Sequence, residues 1–207
     1  MTEQELRDQL VGLSLSLFER GYSVGSAGNI SVRTPEGGYL MTPTNSSLGR
    51  LEADRLSLLD ADFNHVGGDK PSKEVPMHRA VYAGRPQAQA VVHLHSTYVT
   101  ALSCLWEPGR SLIPPLTPYF VMRVGREAPV IRYFRPGSAE VVDEIREVMA
   151  TSPAVILAHH GSLVTGKSLV DAVNAAEELE ATAQLALLLA DRSPHTLTPE
   201  QVAELLP

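Results

Sequence analysis

Apolar side chains recur every three or four residues in some stretches of this chain, and every second residue or without a break in shorter ones. Leu6, Leu10, Leu13, Leu17 and Phe18 share one side of a helix predicted between Glu3 and Arg20, with Gly21 placed to end it. Gly25 to Arg33 begins rich in glycine and passes into strand alternation. Gly37-Gly38 then marks a hairpin and Tyr39 to Met41 its return strand. Leu56 to Asp60 and Phe63 to Val66 predict a second short hairpin, closed by Gly67-Gly68. From Pro71 to about Ala83 the pattern is helical, with Ser72 as N-cap and a proline in the first turns. Ala90 to His95 is an apolar strand, Thr97 to Leu105 a helix, and the following segment to Pro118 a rigid proline-rich connection. Val130 to Phe134 predicts a strand, Ser138 to Met149 an amphipathic helix, and Ala154 to His159 another apolar strand. Ser168 to Asp191 is a long apolar helix, buried or at a subunit contact. Thr198-Pro-Glu-Gln201 supplies N-cap, N1 proline and capping-box glutamine for a last short helix. No repeat, low-complexity stretch or linker divides the chain. The expectation is one domain over residues 1–207, a three-layer α/β/α sandwich with a mixed, largely antiparallel central sheet.

Composition narrows the class. With 207 residues, roughly 70% of the unfolded surface can be buried. An apolar share of 43% with 20% charged residues is that of an ordinary globular enzyme. The net charge of -7 is spread without a basic run, so neither nucleic acid nor an anionic membrane surface is an expected partner. Cys104 is the single cysteine, which excludes an internal disulfide and suits a reducing compartment. Met1 to Asp8 carries alternating charges with no apolar signal segment, and Leu185 to Ala190 is far too short for a membrane span. A cytoplasmic location is expected.

The chemistry gathers at two strand ends. His93 and His95 stand two apart, so a strand points both imidazoles to one face, where a divalent metal is the simplest common target. Leu157-Ala-His-His-Gly161 ends a second apolar run and offers His159 or His160; strand alternation sends these to opposite faces, so only one should bind. An isolated H-x-H arises readily by chance, but two such strand ends among seven histidines shift the weight to metal. Three turns rich in donors, Gly25 to Asn29, Thr42 to Ser47 and Ser72-Lys73 at a helix start, could together form a phosphate pocket. None matches a nucleotide-binding spacing. Glu74 reads either as a favourable charge at a helix start or as a carboxylate aimed at the metal, able to ligate it and to shuttle a proton. His78, at i+4 from Glu74, reads as packing or as support behind the ligands. His65 and His195 read as surface residues.

These residues together resemble the class II aldolase/adducin family of zinc-dependent sugar-phosphate lyases, from about Leu6 to about Leu189. The motifs are Ser26-Ala-Gly-Asn-Ile-Ser-Val-Arg33, Thr42-Pro-Thr44, Pro71-Ser-x-Glu74, Ala90-Val-Val-His-x-His95 and His159-His-Gly161. The resemblance implies a Zn2+ site, with Mn2+ or Co2+ as alternatives, on His93, His95 and His160. It places the catalytic and metal-contacting glutamate on Glu74, and phosphate contacts on Gly28, Asn29, Thr44, Asn45, Ser72 and Lys73. Tyr119 is a weaker candidate for handling a proton or substrate. A homotetramer with sites near subunit boundaries is also implied. Asn45 stands where sugar-phosphate aldolases usually have glycine, and Lys73 where they have serine. Lys73 suits either a substrate carboxylate or a firmer grip on phosphate. Ser72 to His78, Ala101 to Trp106 and Leu116 to Met122 look most like the branch that decarboxylates four-carbon acid-sugar phosphates. The implied reaction takes 3-oxo-tetronate 4-phosphate to dihydroxyacetone phosphate and CO2 through a metal-stabilised enediolate. The alternative is an aldolase cleaving a ketose 1-phosphate of the fuculose, ribulose or rhamnulose type. A non-catalytic module like the adducin head should lack the ligands this chain keeps.

Overall fold

The computed structural model describes residues 1–135, 138 and 140–206. Its first helix, α1 (Glu3–Glu19), starts at a reciprocal cap: the Thr2 hydroxyl accepts from the Glu5 amide, and the Glu5 carboxylate accepts from the Thr2 amide. It ends where Gly21 takes a φ of +79°. A meander of short strands follows: β1 (Asn29–Arg33), β2 (Tyr39–Met41), β3 (Ser57–Leu59) and β4 (His65–Gly67). Helix α2 (Val75–Gly84) leads to β5 (Ala90–Leu94), which pairs antiparallel with the free edge of β1. Then come α3 (Thr97–Ser103), α4 (Pro118–Val124), β6 (Val130–Ile131), α5 (Glu140–Thr151), β7 (Ala154–Leu157), β8 (Gly161–Gly166), α6 (Leu169–Leu188) and α7 (Pro199–Leu205). The eight strands form one sheet in the order β4-β3-β2-β1-β5-β8-β7-β6. Among the described residues every neighbouring pair is antiparallel except β6 and β7.

Strand alternation sorts the core into two. Ile30, Val32, Val92, Leu94, Ile156 and Val164 pack towards α1, α3, α4 and α6. Val91, Val155 and Leu163 pack the other way, against Met77 and Val81 of α2 and Ile145 and Met149 of α5. The expected sandwich is present, and it puts Asn29, Ser31 and His93 on the α2 side. Among the described residues no helix is long and apolar enough to cross a membrane.

Several boundaries differ from the sequence pattern, each for a local reason. Ser72 does not cap α2. Its hydroxyl accepts from the Glu74 amide at 3.2 Å, and the first helical amides, of Met77 and His78, reach the Glu74 carbonyl at 2.9 and 3.2 Å. Glu74 is therefore the N-cap, at φ -93° and ψ 10°. The strand expected to reach His159 stops at Leu157, because His159 takes φ +58° and the His160 amide turns back to the Leu157 carbonyl at 3.1 Å. That turn leads into β8, which the pattern did not announce: glycine at both ends and Ser162 and Thr165 between them dilute the apolar signal. Helix α4 lies hidden in the proline-rich connection. The Thr117 hydroxyl caps the Phe120 amide at 3.2 Å and Pro118 occupies the first turn, where a missing N-H does no harm. The strand expected over Val130 to Phe134 pairs only at Val130 and Ile131 on the sheet edge, after which Arg132 lies over the Phe134 ring. The helix expected from Ser138 crosses Ala139, which lies outside the described residues; α5 is described from Glu140.

Candidate metal centre

The end of β5 is held from both sides by backbone that only glycine allows so close. A Cβ on Gly28 would come within 2.8 Å of the His93 carbonyl oxygen, and one on Gly161 within 2.1 Å of the Leu94 carbonyl oxygen. The entry to β1 and the start of β8 thus press on the short segment bearing His93 and His95. These two rings emerge on the α2 side with their Nε2 atoms 2.9 Å apart. His160 joins them from the turn before β8, and the three ring centroids stand 4.6 to 4.9 Å apart pairwise. Glu74 arrives from the start of α2, with Oε2 3.4 Å from His93 Nε2 and Oε1 3.6 Å from His160 Nε2. The ligand atoms of Glu74, His93, His95 and His160 all lie within 4.8 Å of one another.

The donor set fits a divalent cation of the zinc type. His93 Nδ1 is 2.8 Å from the Ser162 carbonyl, which can only accept, so Nδ1 carries the proton and a bare Nε2 faces the cluster. Burial, then the neighbouring His160 and His95, holds the His93 pKa well below its ordinary value and keeps the ring neutral. Burial lowers the pKa of His95 and His160 as well. Ligand atoms around tetrahedral zinc stand about 3.3 Å apart, so the four groups need to close by ~1.5 Å at most. His93 is fully buried whereas Glu74 and His160 keep 24% and 19% of their side chains exposed, which leaves one open side.

The three donor-rich turns meet beside this cluster. Ile30 N donates to the Thr42 hydroxyl and Thr42 N to the Ile30 carbonyl, at 3.2 and 3.0 Å. Pro43 bridges to Pro71, and Thr44 N donates to the Lys70 carbonyl at 2.9 Å. Gly28, Asn29, Thr44, Asn45, Ser72 and Lys73 thus belong to one connected rim. Asn45 sits at φ +57°, a left-handed conformation that asparagine tolerates better than most residues. Asn29 is buried and also bonds Glu74 directly, donating from Nδ2 to Oε2. His159 points away, exposed. Tyr119 is not brought to the cluster by this chain: it is 63% exposed on α4 and lines a separate groove with Arg123, Lys167 and Asp171. His65 and His195 are exposed.

Some contributing groups were not singled out from sequence. The Ser162 carbonyl orients His93. Glu180, buried on α6, accepts from Ser96 Oγ, Tyr98 N and Val99 N at 2.7, 2.8 and 2.9 Å, and so fixes the chain just after His95. Ser31 and Tyr82 join His78 behind Asn29. A cavity of about 200 Å³ opens beside Glu74 and His160, with Lys73, Arg132 and Arg135 on its walls. The glutamate of α6 gave no signal, but Glu74, His78 and Tyr82 follow a helical period of four opposite Asn29 and Ser31 at a strand period of two.

Residues 8–187 match the family described as Class II Aldolase and Adducin N-terminal domain. The chain is 49% identical to a 3-oxo-tetronate 4-phosphate decarboxylase of Haemophilus influenzae over 99% of its length and 98% of that protein. It is 32% identical to an L-fuculose phosphate aldolase of Escherichia coli over all of its length and 94% of that protein. Among solved structures it superposes on YgbL of Klebsiella pneumoniae with a TM-score of 0.94, at 48% identity and 99% coverage of both chains.

Proposed function

This chain belongs to the class II aldolase and adducin family, and on that premise we propose that it decarboxylates 3-oxo-tetronate 4-phosphate to dihydroxyacetone phosphate and CO2. The decarboxylase relative at 49% identity supports this over the aldolase relative at 32%. The observation in the molecule that carries it is the cavity at the open side of the cluster. Lys73, Arg132 and Arg135 bring three cations to it, and among the described lining residues Glu74 is the only acid. Both candidate substrates carry a phosphate, which the rim with Lys73 can take; Arg132 and Arg135 beyond it then suit a second anionic group, a carboxylate, better than the neutral aldehyde end of a ketose phosphate.

We assign the metal to His93, His95 and His160, with Glu74 beside it. When bound, a divalent cation there supplies a Lewis acid for the negative charge that develops as CO2 leaves. The protein's own groups do the rest. Gly28, Asn29, Thr44, Asn45, Ser72 and Lys73 form the rim that takes the phosphate, presenting backbone and side-chain donors. Breaking the C1–C2 bond leaves its electron pair on C2, next to the C3 carbonyl. Glu74 gives a proton to C2 in place of CO2 and regains one from water through the open side. Met77, Val141, Val142 and Leu157 make the cavity wall apolar, which limits water at the reacting carbon.

Zinc is the proposed ion, with manganese or cobalt as alternatives, and the cytoplasm the proposed location. A homotetramer is proposed with them, and the exposed Tyr119 and Met122 of α4 suit a subunit contact. In such an assembly Tyr119 would act at a neighbour's site, since within one subunit it faces another groove. The test is a product assay on zinc-loaded protein offered 3-oxo-tetronate 4-phosphate and L-fuculose 1-phosphate. CO2 and dihydroxyacetone phosphate from the first are expected; aldehyde from the second, with no CO2 from the first, would make it an aldolase.

A further inference from the structure

Behind Glu74 runs a chain of buried polar groups whose hydrogen bonds can point in only one direction. Its members lie on two elements: Glu74, His78 and Tyr82, four apart along α2, and Asn29 and Ser31, two apart on β1. His78 Nε2 is 2.6 Å from Asn29 Oδ1, His78 Nδ1 is 2.6 Å from Ser31 Oγ, and Ser31 Oγ is 3.0 Å from the Tyr82 hydroxyl. His78 is wholly buried, and Asn29, Ser31 and Tyr82 are nearly so.

The direction follows from the carboxylate. Glu74 Oε2 accepts, so Asn29 must turn its NH2 towards it and its carbonyl towards His78. A carbonyl cannot donate, so His78 Nε2 carries the hydrogen and Nδ1 is bare. Nδ1 then takes the Ser31 hydroxyl hydrogen, and Ser31 Oγ takes that of Tyr82. Burial agrees with each role: it pushes the His78 pKa down to about 3, so the ring has a single N-H, and it raises that of Tyr82, which stays a donor. Reversing any one link would set two donors or two acceptors face to face without water to relieve them.

We propose that His78, backed by Ser31 and Tyr82, is a positioning residue that locks the Asn29 amide with its N-H on Glu74 Oε2 and so leaves Oε1 as the atom that carries and delivers the proton. This rests on the reading of Glu74 as the proton donor. With Oε2 engaged by Asn29, a proton on the carboxyl sits on Oε1, on the side facing His160. When C2 takes that proton, the electron pair of the O-H bond stays on Oε1 and Asn29 keeps its hold on Oε2. The site thus presents one oxygen to the substrate in every turnover. An unanchored carboxyl would rotate and divide its proton between two.

Two measurements test this. In wild-type protein without metal, nitrogen-15 NMR of the His78 ring should show hydrogen on Nε2 and a bare Nδ1; hydrogen on Nδ1 would overturn the proposal with no mutation needed. In zinc-loaded protein, Ser31→Ala and His78→Phe should lower kcat by about 10- to 100-fold for the larger change and less for the smaller, with KM held within ~2-fold. His78→Gln, whose amide can still donate to Asn29, should recover most of the loss. In a Glu74→Gln background His78→Phe should cost almost nothing more, because the two act through one group. Unchanged kcat in His78→Phe while Glu74→Gln is inactive would sink this inference and leave the proton-donor assignment standing. An active Glu74→Gln would remove the assignment itself.

Discussion

Glu74 and Glu180 stand on opposite faces of the sheet, near the same exit of β5, and are treated in opposite ways. Glu180 is 8% exposed and accepts three hydrogen bonds, two of them from the first amides of α3. Every strong demand of that carboxylate is met, so it has nothing left with which to react, and it serves as a cap for a short helix. Among the described residues Glu74 is given one donor, Asn29, and its oxygens otherwise face two imidazoles and an open cavity. A carboxylate with one side anchored and the other left to solvent and ligand is one that can coordinate or exchange a proton. The number of hydrogen bonds withheld, more than depth, separates the chemical glutamate from the structural one.

The contrast can be broken in order of expected effect. His93→Ala should remove metal and CO2 release together, since it deletes the buried ligand whose Nε2 is already aimed; elemental analysis with the product assay checks both. Glu74→Gln should keep most of the metal and the melting temperature while turnover falls by roughly 10²-fold or more. Glu180→Ala should do the reverse. It strands two amides and a hydroxyl and lowers stability by about 2 kcal/mol, roughly 4–8 °C in Tm for a chain of this size, with the smaller effect on turnover of folded protein. Equal loss of turnover from both glutamate variants would erase the distinction.

A further effect concerns pH. His78 and His93 have folded pKa values below their unfolded ones, so their unfolded forms bind protons first as pH falls. Stability is unaffected by them above about pH 6.5 and is lost below it, at up to about 1.4 kcal/mol per pH unit for each group. For His78 the loss continues down to about pH 3. Denaturant titration of metal-free protein at pH 7 and 5.5 should show the drop, and His78→Phe should lessen it while the share of His93 remains.

Much of this was legible in sequence, unevenly. The pairing of His93 with His95 needs only a strand's two-residue period, and the sandwich follows from the spacing of apolar runs. Strand alternation separates His159 from His160 in the sequence, yet both lie in a turn, and the left-handed φ of His159 is what sends it outward. Capping at Thr198 could be read directly, whereas Thr117-Pro118 used the same grammar within a proline-rich stretch and passed as connection. β8 was missed because its glycines, the residues that usually mark turns, are there to let backbones approach: at Gly161 the Leu94 carbonyl leaves no room for a side chain. Glu180 was invisible, since a lone acid on an apolar helix shows its purpose only once α3 lies against it. The three donor-rich turns are visible singly, but only the hydrogen bonds between Ile30 and Thr42 and the Pro43–Pro71 bridge bring them together.

The most direct test is to strip the protein of metal, titrate zinc back, and follow CO2 release from 3-oxo-tetronate 4-phosphate. Activity should rise from near zero and level off at about one ion per chain. Undiminished CO2 release from the stripped protein would contradict the account.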